Sequence, residues 1–512
     1  MAALAKGSEV GIIGVGAMGA GIAEVAALAG HRVHLFDNRM GAADTARAVI
    51  ADGLRKRVAK GKVEADRAEA AIERLVPVHA LGDMVSAVLV VEAIVEDIDI
   101  KRRLFRELEV VVASEAILAS NTSSLPITAI AAGMKHPGRF VGMHFFNPAP
   151  ILPLVEVVSG LATAPPVAAT IYDTAKAWGK VPVHATSTPG FIVNRCARPF
   201  YGEALRLATE RAASCATLDA VLREAGGFRM GPFELMDLIG LDINYTVTRS
   251  VWEAYFQDPR YAPSVLQAEL VAAGFLGRKS GRGYYDYAPG AVKPAPHGEG
   301  PHPAPRSVRL AGEGGAASAL AARLERAAVA VTRVPPAADV GAACLLVDDT
   351  LLLPSDGRTA TAVAAATGRR DCVVLDLAFD YASCARLAAA RADTCSDAGW
   401  AAAAGTLQAA GIVVSRLDDV AGLAVMRTVA MLANEAADAV TQGIATAVDV
   451  DLAMRNGVNY PCGPLAWADA IGVAHVATVL RHLREHYGDP RYRLSPLIAR
   501  RLAAGQPLAG TA

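Results

Sequence analysis

Residues Glu9–Asp37, "EVGIIGVGAMGAGIAEVAALAGHRVHLFD", decide the fold. Val10, Ile12 and Ile13 read as a buried strand, and Gly14, Gly16 and Gly19 follow it in G-x-G-x-x-G spacing. A helix is expected from about Ala17 to Ala29, then a second strand, "RVHLF", closing at Asp37. Such a turn needs glycine for three separate reasons: tight reversal, backbone approach to a pyrophosphate, and close helix–strand packing. The helix start at Ala17 and Met18 offers unpaired N–H groups and the positive end of a dipole to phosphate. Asp37 can accept hydrogen bonds from ribose hydroxyls and would repel a 2′-phosphate, which favours NAD over NADP. Arg39 is the counter-signal. A glycine-rich turn alone would be weak evidence; strand, turn, helix, strand and acid in this order read as a dinucleotide-binding unit.

Composition bounds the rest. The chain has 512 residues, 53% hydrophobic and 20% charged, enough for several globular domains. Fifty basic and 51 acidic side chains leave no global attraction for nucleic acid or anionic membrane, so neither is expected as a partner. Seven cysteines, without C-x-x-C or C-x-x-H spacing, argue against a disulfide framework and against bound metal, and suit a cytoplasmic location. Val10–Gly30 is long enough for a membrane span, but its six glycines, and Lys6 as the one basic residue before it, favour strand, turn and buried helix.

Further apolar runs alternate with helical stretches: Ala87–Glu96, Ala116–Ser120 and Arg139–Phe145, extended by "LVEVVS" and by "VPVHA" at Val181–Ala185. This is the signature of a mainly parallel sheet covered on both faces, hence an α/β, doubly wound, Rossmann-type domain. Within it stands "HFFNPAPILPLVEV", His144–Val157. Read as strand, turn, strand, it puts His144 among Phe140, Gly142 and Phe146, and Glu156 between Leu154 and Val158. A carboxylate so placed is costly unless paired. His144 is the natural partner, although a lone buried histidine is more often a satisfied core residue.

Six stretches, "GVGAMG", "VEAIVEDIDIKRRLF", "SNTSSLPI", "HFFNPAPILPLVEV", "PGFIVNR" and "GPFELMDLIGLD", together resemble the 3-hydroxyacyl-CoA dehydrogenase family, in order from residue 14 to 242. That resemblance implies NAD-dependent oxidation of an L-3-hydroxyacyl-CoA to the 3-oxoacyl-CoA. It implies His144 as general base, Glu156 as its orienting partner, and Ser123 and Asn194 as contacts to the substrate oxygen and the nicotinamide region. A neutral imidazole suits removal of an alcohol proton near neutral pH. Glu96, Lys101 and Asn147 match family positions near the cofactor. Lys56 and Lys60, in the basic run "RKRVAKGK", match the place where the family meets coenzyme A phosphates. Each has a plainer reading: Ser123 as a cap for the helix after Pro126, Asn194 as a surface residue of a helix started by Ser187 or Thr188 and Pro189, the lysines as a solvated face.

The second half repeats the first in part. "PGFIVNR…GEALRL" aligns with "AGLAVMR…NEAADA", Asp219 with Asp451, "GPFELMDLIG" with "GPLAWADAIG" and "DPRYAPS" with "DPRYRLS". The expected plan is a Rossmann domain at 1–187, a helical domain at 188–288, a proline-rich linker at 289–306, a reduced Rossmann-like segment at 307–415 without a glycine fingerprint, and a second helical copy at 416–512. Met426 stands where Asn194 does, so one site per chain is expected. Single-copy members of the family pair through their helical domain, and the second copy is expected to imitate that pairing within one chain; a homodimer is left open. The doubled layout resembles the branch acting on 3-hydroxyadipyl-CoA in phenylacetate degradation. Arg198 and Arg229 are candidates to meet a distal carboxylate, and 3-hydroxybutyryl-CoA is the rival substrate. A non-catalytic module on the same fold would be expected to have lost the acid–base residues, which all stand here.

Overall fold

The computed structural model describes residues 2–510. The chain divides into two compact units, Met1–Arg195 with Ala439–Val458, and Cys196–Asp438 with Asn459–Ala512.

The first unit is built on an eight-stranded sheet. Its strands are β1 (Glu9–Ile13), β2 (Arg32–Phe36), β3 (Leu75–Pro77), β4 (Leu89–Glu92), β5 (Ile117–Ser120), β6 (Phe140–Phe145), β7 (Leu154–Ser159) and β8 (Val181–Thr186). The order is β3-β2-β1-β4-β5-β6-β7-β8, parallel throughout except for the β6/β7 pair. Helices cover both faces, so the central strands read as unbroken apolar runs; Val10, Ile12, Leu89, Val91 and Val141 are fully buried. Each such side chain contributes about 1.5–3 kcal/mol.

Helix α1 (Ala17–Leu28) leaves the glycine turn as expected. Gly14 holds φ 85°, and a Cβ at Gly19 would lie 1.8 Å from the Gly14 carbonyl oxygen. Reversal and close packing therefore exclude any larger residue at these two positions. The edge strand β3 has no counterpart in the sequence reading, being only three residues long. Strand β4 stops at Glu92, so Ala93–Glu96 form a loop over the sheet's carboxyl end rather than more strand.

The segment 439–458 joins this unit. The Thr186 N–H donates to the Ile444 carbonyl at 2.9 Å. A Cβ at Gly457 would lie 2.6 Å from Leu154 Cδ2 and 3.1 Å from Val193 Cγ2, so glycine lets the helix Ala447–Gly457 approach β7 and the start of the next helix.

The second unit carries a seven-stranded sheet of β9 (Ser307–Ala311), β10 (Ala330–Val334), β11 (Cys344–Val347), β12 (Thr350–Pro354), β13 (Cys372–Leu375), β14 (Arg386–Arg391) and β15 (Val413–Arg416), in the order β10-β9-β11-β12-β13-β14-β15. It is mixed: β9/β10, β12/β13 and β14/β15 run parallel, the other neighbours antiparallel. The turn after β9 does hold Gly312, Gly314 and Gly315, but in G-x-G-G spacing, closed by the Ser318 hydroxyl accepting the Gly314 N–H at 2.9 Å. The 289–306 stretch forms no helix or strand, yet it is a fixed strap rather than a free tether. Glu299 N–H donates to Val414 O at 2.8 Å, and the His297 carbonyl accepts from Arg386 and Ser415.

Helices of both repeat copies pack together in this unit by reciprocal contacts. Tyr492 donates to Glu203 at 2.9 Å, while the repeat-equivalent Tyr261 donates to the repeat-equivalent Glu435 at 2.6 Å. This exchange of like tyrosine–glutamate contacts is the pattern of a two-fold interface between equivalent surfaces. Salt bridges that are not equivalent by the repeat add to it: Arg427 pairs with Glu203 at 2.6 Å, and Arg260 with Glu435 and Asp438 at 3.1 and 2.5 Å.

Candidate active site

The register of β6 against β7 sets His144 directly opposite Glu156. Their side chains meet at 2.6 Å, Nδ1 to Oε2, with Glu156 wholly buried and His144 5% exposed. The second carboxylate oxygen, Oε1, accepts the backbone N–H of Ile192 at 3.0 Å and of Val193 at 2.9 Å. Glu156 thus holds the imidazole with one oxygen and a helix start with the other. With Nδ1–H given to Glu156, the ring's lone pair resides on Nε2. Phe146 and Phe191 wall the imidazole, their ring centroids 4.5 and 5.8 Å from it.

That helix start differs from expectation. Pro189 lies in a turn, Gly190 and Phe191 take φ of 75° and 47°, and the helix begins only at Val193. Left-handed backbone at two successive residues delays the helix, and Glu156 then caps it in place of a hydroxyl. Asn194 consequently sits in the first turn, not on a solvated mid-helix face, and its Nδ2 donates to the Ser123 carbonyl at 3.3 Å. Gln442, from the 439–458 segment, accepts from Arg195 at 2.8 Å beside it. Ser123 does not cap the following helix; the Ile127 N–H goes to Ser187 Oγ at 2.9 Å.

Ser123 instead belongs to a turn gathered by Glu96. Oε1 of Glu96 accepts from Thr122 Oγ1 at 2.7 Å, from the N–H of Ser123 and Ser124 at 3.0 and 3.1 Å, and from Ser124 Oγ at 3.0 Å. Burial works to raise the Glu96 carboxyl, but the Lys101 ammonium and these donors outweigh it and hold its pKa below the usual range. Lys101 is 1% exposed and lies 2.5 Å from Glu92 and 3.3 Å from Glu96. Glu92 and Asn121 escaped the sequence reading. Glu92 is a wholly buried acid ending an apolar strand, and Asn121 accepts the Phe145 N–H at 2.8 Å across the ends of β5 and β6. The signal for Glu92 was present: an acid inside "LVVEAIV" demands a partner.

On the far side of the sheet's carboxyl end lies a cleft of ≈ 620 Å³, lined among others by Gly14, Gly16, Asp37, Arg39, Ile94 and Val95. A Cβ at Gly16 would meet no atom within 4 Å, so this glycine leaves open the space a pyrophosphate needs. Gly16 and Ala17 are exposed, Met18 half-buried, and no side chain caps α1 among the described residues, so its first N–H groups remain for an anion. Asp37 accepts the Val15 N–H at 3.1 Å and pairs with Arg39 at 2.9 Å, which lowers its carboxyl pKa. The donor set fits a dinucleotide.

Other expected residues lie apart. Lys56 pairs with Asp52 at 2.6 Å on an exposed face, Lys60 is exposed beyond the helix Ala42–Ala59, and Asn147 is exposed two residues after β6. In the second unit Arg198 is buried, donating to Thr248 Oγ1 at 3.0 Å beneath the Tyr201 ring, and Arg229 is exposed. Among the described residues no cluster of three or more His, Cys, Asp or Glu could hold a metal, and no helix is long and apolar enough to cross a membrane.

Comparison with known proteins specifies the class. The NAD-binding domain of 3-hydroxyacyl-CoA dehydrogenase matches residues 9–188, its C-terminal domain matches 190–287 and again 422–510, and the reduced Rossmann-fold domain of 3-hydroxybutyryl-CoA dehydrogenase matches 352–420. The 3-hydroxyadipyl-CoA dehydrogenase of Escherichia coli K12 is 42% identical over 96% of this chain and 97% of its own. A crystal structure of 3-hydroxybutyryl-CoA dehydrogenase from Escherichia coli K12 superposes with a TM-score of 0.88, covering 98% of this chain and all of that one, at 42% identity. The human mitochondrial hydroxyacyl-coenzyme A dehydrogenase is 42% identical over 54% of this chain and 91% of its own. The fold and its glycine-lined cleft are those of an NAD-dependent oxidoreductase. More narrowly, the chain belongs to the 3-hydroxyacyl-CoA dehydrogenase family, enzymes that act on acyl-CoA substrates.

Proposed function

We propose that His144 is the general base of an L-3-hydroxyacyl-CoA oxidation and that Glu156 sets its tautomer. The observation carrying this is the pair itself, 2.6 Å apart in strand register, with Glu156 also clamping the turn before Asn194. When bound, NAD accepts the hydride from the carbinol carbon. The hydroxyl proton passes to His144 Nε2, and the imidazolium that forms is stabilised by the Glu156 carboxylate. Ser123 and Asn194, joined through the Ser123 carbonyl, orient the substrate oxygen. Gly14, Gly16, Ala17, Met18 and Gly19 receive the pyrophosphate, Asp37 the ribose; family position assigns Asn147 and Glu96 to the nicotinamide region, buried Lys101 acting there through Glu96, and assigns Lys56 and Lys60 to coenzyme A. Base assistance of this kind is worth about 10²–10⁴ in rate.

The substrate reading is 3-hydroxyadipyl-CoA, supported by the doubled layout shared with the Escherichia coli enzyme of that name across 97% of its length. The relative solved as a 3-hydroxybutyryl-CoA dehydrogenase has the same layout and supports the shorter thioester as the second reading. The enzyme works in the cytoplasm, with domains at 1–187, 188–288, 307–415 and 416–512, and the second helical copy takes the place of a dimer partner. Comparing kcat/KM for the two thioesters decides the substrate: a clear preference for the dicarboxylic one is expected, and equal or inverted values would overturn it.

A further inference from the structure

We propose that Glu92 is a positioning residue of this site: through Lys101 it fixes Glu96, and through Glu96 the Thr122–Ser124 turn that carries Ser123. The inference rests on the reading of Ser123 as a substrate contact.

A continuous line of polar contacts runs between them. Glu92 is wholly buried and accepts from the Ile94 N–H at 2.7 Å, from Ser120 Oγ at 2.6 Å and from Lys101 Nζ at 2.5 Å. The same ammonium reaches Glu96 Oε2 at 3.3 Å. Glu96 then uses its other oxygen to draw together the N–H groups of Ser123 and Ser124 and the hydroxyls of Thr122 and Ser124. The Ser123 carbonyl finally receives Asn194 Nδ2. Each oxygen of Glu96 has one task, Oε2 held by the cation and Oε1 shaping the turn.

Stability alone does not call for this arrangement. The helix that carries Lys101, Ile98–Val111, already has its cap: Asp97 accepts the N–H of Asp99 and Ile100 at 3.0 and 2.9 Å. Two ions withdrawn from water are costly, and a neutral pair of similar size would often serve a core as well. What a neutral pair cannot do is pull a half-exposed carboxylate to a defined point beside the turn. With Oε2 held by the ammonium, Oε1 of Glu96 is where five donors of the turn converge, the Ser123 hydroxyl among them at 3.4 Å.

The test uses the full-length enzyme as wild type, Glu92→Gln, and the double variant Glu92→Gln/Lys101→Met, which removes the charge pair with its volume kept. Three quantities are read: thermal midpoint, kcat and KM for both substrates, and hydrogen exchange of the Ser123 and Ser124 amides. The single variant is expected to lose midpoint and at least about tenfold in kcat/KM. The double variant recovers most of the midpoint, because no buried charge is left unpaired, yet keeps the tenfold kinetic loss, mainly in kcat, and exchanges the two amides at least about tenfold faster than wild type. Recovery of kcat/KM along with the midpoint, or exchange unchanged from wild type, would overturn the proposal. Should neither variant accumulate as folded protein, Glu92→Asp decides: it keeps the charge but shortens its reach to Lys101 Nζ and leaves the Ser120 contact to the Thr122 N–H in place, and amide exchange at the wild-type rate would equally refute it. The exchange readout does not depend on turnover. A wild type that fails to reduce NAD would sink the functional reading and leave this inference to be judged on exchange alone.

Discussion

Replacing Glu156 by glutamine probes the site with almost no change of volume. The carboxylate offers two oxygens, one committed to His144 Nδ1 and the other to the N–H groups of Ile192 and Val193. A carboxamide has one oxygen and one NH2 and cannot serve both. If its oxygen stays with the two backbone donors, the NH2 faces Nδ1, which must turn acceptor; the ring proton moves to Nε2 and the base loses its lone pair. If the oxygen instead faces His144, the NH2 confronts two buried N–H groups, each left unpaired at about 1–3 kcal/mol. The first arrangement is cheaper by roughly 2–6 kcal/mol on that count, so the wrong tautomer dominates. The expected loss in kcat is about 10²–10⁴, the full worth of a general base, or about 2.7–5.4 kcal/mol of barrier. The fold survives, because both backbone bonds persist; the thermal midpoint should fall by only about 2–4 °C. Steady-state NADH formation and a circular-dichroism melt on the same preparation measure both. A variant within about threefold of wild-type kcat, with the melt preserved, would refute the tautomer argument, since nothing else at this site can replace the lone pair.

Three other outcomes follow from the structure. Gly16→Val should fold with an unchanged midpoint, since the added side chain starts in open space, but raise KM for NAD at least about tenfold by occupying the pyrophosphate's place; Gly19→Ala, whose Cβ would lie 1.8 Å from a carbonyl oxygen, should instead fail in thermal stability. Tyr261→Phe and Tyr492→Phe each withdraw one donor from a buried glutamate and should cost about 1–3 kcal/mol in denaturant unfolding, by similar amounts if the two copies pair symmetrically. Asp219, desolvated by burial, has its pKa raised to about 7 despite donors from Phe233, Glu234 and Tyr285. Between pH about 4 and 7 it is protonated when folded and ionised when unfolded, so its contribution to stability is present at low pH and lost as pH rises through the folded value. In Asp219→Asn the slope of unfolding free energy against pH over that window should turn more positive by up to about 1.4 kcal/mol per unit; an unchanged slope would show the group to be ionised in the folded state.

Much of the site was legible because strand and turn chemistry are local. Gly14, Gly16, Gly19 and Asp37 are fixed by one turn and the two strands beside it, so spacing alone reveals them. His144 and Glu156 sit on adjacent strands of one hairpin, and a period of two tells which way each points. Glu92 hid for the opposite reason: its cation lies nine residues on, across a loop that reads as continued strand, and nothing local ties "LVVE" to "IKRR". The delayed helix before Asn194 was equally hidden, since Phe191 at φ 47° is a conformation that sequence propensity argues against and that only the Glu156 cap makes worthwhile. The second sheet was legible as a remnant because its apolar runs are strong, but its mixed pairing depends on tertiary contacts that the runs do not encode. The proline-rich stretch at 289–306 reads as a tether from composition, whereas its hydrogen bonds to the second sheet make it a strap.

The central claim, that an imidazole oriented by Glu156 removes the substrate's hydroxyl proton, is tested most directly by His144→Gln. Steady-state NADH formation from an L-3-hydroxyacyl-CoA should fall at least about a hundredfold in kcat, with NAD affinity by direct titration unchanged. A variant that binds NAD normally and turns over within about threefold of wild type would contradict it.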